Sequence, residues 1–187
     1  YQTPTLDALI GAVDFVSMHT YPFHDTHYNP AFWTDTFDEV SAQAPQADVS
    51  ATMARAAAYA QDQYASTKRY VSSIDPGKAV HIGETGWASI DNGFYGPDGS
   101  NAAGERQQQL YFGLMTAWAR AAGVVLVLFE AFDEPWKDAK NPGGSENHFG
   151  LIDGQNLAKR VLWTELDAGA LQGLTRGGRP IVRSDTP

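Results

Sequence analysis

Carboxylates and aromatic residues recur at the same kind of place along this chain. His19 and Tyr21, Glu84 and Trp87, and Glu134 and Lys137 each stand just past a short apolar run. A carboxylate directly after an apolar strand is poorly hydrated and is tolerated when it is paired or used. Glu84 by itself reads equally well as a loop carboxylate that caps a helix or meets an arginine. The same placement at Glu134, with Lys137 one turn on, favours chemistry. A lysine beside a carboxylate favours its ionised form. Tyr and Trp offer flat apolar faces with a polar handle, which suits sugars.

The apolar runs that must position these residues are Val13 to His19, Ala79 to Ile82 and Val124 to Phe129. Their Val, Ile and Leu content suits parallel strands covered on both faces. Between them, Val49 to Ile74 and Glu105 to Ala122 carry apolar residues at helical spacing, stopped by Asp75-Pro76-Gly77 and by Gly123. Thr5 to Gly11 reads as the end of an earlier helix. Strands that alternate with covering helices predict an α/β fold with a parallel sheet, whose sites gather at the carboxyl ends of the strands. Asn92 to Gly104 and Lys137 to Ser145 read as surface loops. The whole chain, 1–187, reads as one domain, with 1–168 holding the strands and helices and 169–187 trailing as a tail pinned at Ile181-Val182.

Composition narrows the function classes. The 187 residues hold 22 acidic and 13 basic side chains, a net charge of −9, with no basic segment to meet phosphate backbones, so nucleic acid is excluded as a partner. No cysteine is present, which removes disulfides, Cys-ligated zinc and thiol catalysis. No apolar run approaches the length of a membrane-crossing helix. His19, His24, His27 and Asp25 could group around a metal, but His24 to His27 reads as a polar loop that fixes no common geometry, so no metal site is assigned. His81 reads as a core histidine. Phe32, Trp33 and Phe37 read as core packing, and the run Arg106 to Gln109 as a solvated helix face.

Gly83-Glu84-Thr85-Gly86-Trp87, Phe132-Asp133-Glu134-Pro135-Trp136-Lys137 and Glu146-Asn147-His148-Phe149-Gly150-Leu151, in that order, resemble glycoside hydrolase family 17. That family comprises β-1,3-glucanases and β-1,3-glucan transglycosylases on a (β/α)8 TIM barrel. The resemblance runs from about Val13 to Lys159 and implies that the chain is the C-terminal portion of such a barrel, about strands six to eight. It implies Glu84 as the nucleophile of a retaining reaction. It places Tyr21, Trp87, Glu134, Lys137, Glu146, His19 and Phe149 around the substrate or in support of the nucleophile. The family has Pro where this chain has Ala88, and its plant members have Asn where this chain has His19. The family's acid/base is the Glu of an Asn-Glu pair, and no such dipeptide occurs in the sequence. The resemblance therefore implies an N-terminal barrel part in the same or another polypeptide, β-1,3-glucan as the other partner, and no cofactor. A glucan substrate implies an extracellular, periplasmic or cell-surface location. Two rival readings are a carbohydrate-binding remnant without catalysis and a module that only completes a barrel.

Overall fold

A computed structural model describes residues 2–33, 49–96 and 102–184; Phe37 lies outside them. The chain is a mixed α/β domain. Its central sheet has three parallel strands in the order β1 (Phe15–His19), β2 (Ala79–Thr85) and β3 (Leu126–Leu128). Helix α1 (Pro4–Ala12) starts at Thr3, whose hydroxyl accepts the Leu6 N–H at 3.2 Å, and Pro4 sits in the first turn, where its missing N–H costs nothing. Helix α2 (Pro22–Tyr28) follows β1, α3 (Val49–Ile74) crosses from β1 to β2, and α4 (Glu105–Ala122) crosses from β2 to β3. Helix α4 ends on Gly123, whose φ of 65° is open to glycine at little cost.

The helices bury one face of the sheet. Met53, Ala56, Ala57 and Ala60 of α3 and Tyr111 and Met115 of α4 close over Ile82, with Phe23, Trp33, Trp87 and Phe149 completing the core. A second cluster, Ile10, Val71 and Val80, seats α1 and the end of α3 on the sheet. Among the described residues no helix covers the other face. Phe15, Val125 and Val127 are each about half exposed, at 49%, 50% and 51%. His81 lies on that face, stacked on Phe15 at 4.5 Å, instead of in the core. Strands covered on both faces were expected. Alternation decides the outcome: successive side chains point to opposite faces, and the described residues supply helices for one face alone.

Two further segments depart from the sequence reading. His24 to His27 is helix α2, not a loop, because Phe23 and Thr26 are buried on its inner side. Residues 169–187 were expected to trail. Instead β5 (Thr175–Arg176) pairs with β6 (Arg179–Pro180), and β7 (Val182–Arg183) pairs in parallel with β4 (Leu157–Ala158). Val182 opposite Leu157 is the predicted pin. A short helix, α5 (Trp163–Asp167), separates these strands.

Candidate active site

Glu84 sits near the carboxyl end of the central strand. Tyr21, one residue before α2, donates its hydroxyl to Glu84 Oε2 at 2.9 Å, and His19 Nδ1 at the end of β1 lies 3.3 Å from the same oxygen. Among the described residues no polar partner reaches Oε1. Burial, and then the bond to Glu84, push the Tyr21 phenol far above its usual range, with Glu146 and Glu130 adding to the rise. Tyr21 therefore stays protonated and acts on Glu84 as a donor only.

A pair of carboxylates gathers after β3. Lys137 Nζ donates to Glu130 Oε2 at 2.8 Å and lies 3.0 Å from Glu134 Oε2. The same ammonium sits 3.9 Å above the Phe129 ring. Burial pulls Lys137 down, but the two carboxylates outweigh it and its pKa rises. Glu130 is more enclosed. Its burial lifts the carboxyl above the ordinary range despite Lys137. Its Oε1 is buried without a hydrogen-bond partner among the described residues. Lys137 was expected beside Glu84, but the structure gives it to Glu130 and Glu134. The sequence reading did not single out Glu130; its signal was a carboxylate directly after Phe129.

Glu146 arrives on a 3-10 turn, Ser145–Asn147, and pairs with His24 Nε2 at 3.4 Å. That histidine holds the Glu146 carboxyl below the usual range against the opposing effect of burial. His19 and His24 thus serve two different carboxylates.

Trp87 and Phe149 lie beneath the site and present no face to a ligand. Each is 1% exposed. The Trp87 indole donates to the Ala102 carbonyl at 2.8 Å and packs on Phe23, Trp33 and Tyr111, while Phe149 meets Tyr21, Phe23 and Phe129 edge-on. Of the residues placed near substrate, these two support the floor. Gly86 is required here, because a side chain at this position would drive into the Phe129 carbonyl.

A buried polar clasp ties the loops together. Lys159 Nζ donates to Asp133 Oδ1 at 2.6 Å and to Ser89 Oγ at 2.8 Å, and Asp133 Oδ1 also accepts the Gly150 N–H at 2.9 Å. Burial lowers the Lys159 pKa against the pull of Asp133. His148 Nδ1 lies 3.6 Å from Asp133 Oδ2, which raises the imidazole pKa. Gln108 is also structural. It was read as part of a solvated face, yet its amide is buried and donates to the carbonyls of Trp87, Phe149 and Gly150 at 3.0–3.2 Å.

The BtgE/BtgC glycoside hydrolase domain matches residues 1–150. The chain belongs to that family. Among solved structures, this BtgE/BtgC-type domain is similar to an endo-laminarinase from Formosa Hel1_33_131. The two share 48% identity with a TM-score of 0.88, over 97% of this chain and 46% of that one. A glycoside hydrolase family 17 β-1,3-glucanosyltransferase from Rhizomucor miehei shares the fold at 24% identity and a TM-score of 0.55, over 86% of this chain and 46% of that one. An active-site mutant of the Rhizomucor enzyme in complex with laminaritriose gives 23% identity and the same TM-score. The domain spans less than half the length of these proteins. No curated protein gives a significant match.

Proposed function

We propose that this domain is the C-terminal part, about strands six to eight, of a (β/α)8 barrel in a family 17-like retaining enzyme that acts on β-1,3-glucan. The observation that carries the proposal is Glu84. It stands at the carboxyl end of the middle strand, with Oε2 held by Tyr21 and His19 and Oε1 left without a polar partner among the described residues. The endo-laminarinase similarity and the laminaritriose complex of the Rhizomucor enzyme support the substrate class.

In this reading, Glu84 Oε1 attacks the anomeric carbon while the bond from that carbon to the leaving sugar oxygen breaks. The leaving oxygen takes a proton from a second carboxyl about 5–5.5 Å from Glu84, the spacing of retaining enzymes. That acid comes from the first part of the barrel, which would also cover the open face formed by Phe15, His81, Val125 and Val127. Water or a sugar hydroxyl then displaces Glu84, giving hydrolysis or transfer. Tyr21 and His19 hold the attacking carboxylate, and neither supplies the acid. Lys137 bridges Glu130 and Glu134 and fixes this carboxylate pair beside the cleft. An extracellular, periplasmic or cell-surface location goes with this reading of the substrate. Glu84→Gln in the complete protein should cost several orders of magnitude in laminarin cleavage, because the covalent route has no substitute there. Undiminished cleavage would remove Glu84 from the role.

A further inference from the structure

An aromatic ridge leaves the candidate active site and runs outward over α2. It begins at Tyr21, which holds Glu84, and passes to His24 at 5.1 Å between ring centroids, then to Tyr95 at 5.3 Å and Phe94 at 5.0 Å. His27 packs on Phe94 at 4.2 Å with the rings tilted and meets Tyr28 edge-on at 4.9 Å, closing the far end. Exposure rises along this path. Phe23, beneath the near end, is buried, whereas Phe94 is 48% and Tyr28 65% exposed. His27, Tyr28 and Asn29 form an exposed polar-aromatic margin at the end of α2.

We propose that this ridge is a distal sugar subsite that binds glucosyl units of an extended β-1,3-glucan beyond those held at Glu84. The inference rests on the glucan reading above and deepens it. Three lines support a sugar chain as the occupant. The ridge is continuous with the site through Tyr21 and through His24, which also pairs with Glu146. Its exposed members combine apolar ring faces with hydroxyl and imidazole groups, matching the carbon face and hydroxyl edge of a pyranose. The spacing of α2 makes the arrangement possible: His24 and His27 are one turn apart on one side of the helix, while Phe23 and Thr26 face the core. The exposed rings are not needed to fill the interior, and a contiguous exposed apolar patch rimmed by polar groups marks a binding surface.

The test compares wild type, Tyr28→Ala, Phe94→Ala and the double variant of the complete enzyme on laminaritriose and laminarihexaose. Wild type should prefer the hexaose. The double variant should lose roughly 10-fold in kcat/KM on the hexaose, mainly through KM, and stay within about twofold on the triose. Thermal unfolding midpoints should match wild type, since both rings are exposed. Equal losses on both substrates, or no loss on the hexaose, would overturn the subsite. A wild type active on cellulose oligosaccharides but on neither laminarin oligosaccharide would instead overturn the glucan reading from which the subsite follows.

Discussion

Removing Asp133 should be among the most damaging changes available in this domain. The Asp133 side chain is 10% exposed and that of its partner Lys159 is 6% exposed, with 2.6 Å between the charged atoms. Asp133→Ala strands a buried ammonium and leaves the Gly150 N–H without its acceptor. Breaking one side of a buried pair costs about 3–5 kcal/mol. Lys159 can shed part of that cost by losing its proton, because burial already lowers its pKa; the lower half of the range is therefore expected at neutral pH. Even about 3 kcal/mol is a large share of the roughly 5–15 kcal/mol that holds a domain together. The assay is urea unfolding of wild type, Asp133→Ala, Lys159→Met and the double variant. Because each single change leaves the other group buried without its closest charged partner, the double variant should be less destabilised than the sum of the singles by about 2 kcal/mol. Single losses below about 1 kcal/mol, or strict additivity, would show that the clasp does not hold the loops as described.

Gly86→Ala should destabilise by about 1–3 kcal/mol, read from the same denaturation curves, because the new methyl meets the Phe129 carbonyl and forces β2 and β3 apart. The pH dependence follows from His148. Asp133 raises its pKa in the folded state, so its contribution is complete below about 6.5, its unfolded value, and is lost as pH rises through the higher folded value. Protection factors of the amides in the segment 145–149, taken relative to their intrinsic exchange rates, should fall across that window, and His148→Phe should abolish that fall.

The sequence exposes what is periodic and conceals what is tertiary. Helices α3 and α4 end where the sequence predicts, because an apolar stripe and a stop signal are local properties. The run Val124 to Phe129 reads the same whether one or both of its faces are covered, so the open face of the sheet was invisible. Helix α2 hid behind four polar or titratable letters, His24 to His27, since what makes it a helix is the burial of Phe23 and Thr26 against distant elements. Gln108 looked solvated for the same reason: its partners, at Trp87, Phe149 and Gly150, come from loops far along the chain. The site was half legible. The motif around Glu84 and the tyrosine before α2 could be picked out from the letters. Which carboxylate would take Lys137 could not, because Glu130 and Glu134 compete for it at the end of one strand and only the folded backbone decides. Trp87 and Phe149 show the converse. The resemblance grouped them with the residues around the substrate or in support of the nucleophile, and burial gives them the floor.

The account depends most on Glu84 being the atom that bonds to sugar. A fluorinated laminari-oligosaccharide inactivator, incubated with the complete enzyme and followed by proteolysis and mass spectrometry, reads this directly. The account predicts one glycosylated peptide, with the sugar on Glu84 and no label in Glu84→Gln. A label on Glu130, Glu134 or Glu146, with Glu84 unmodified, would contradict it.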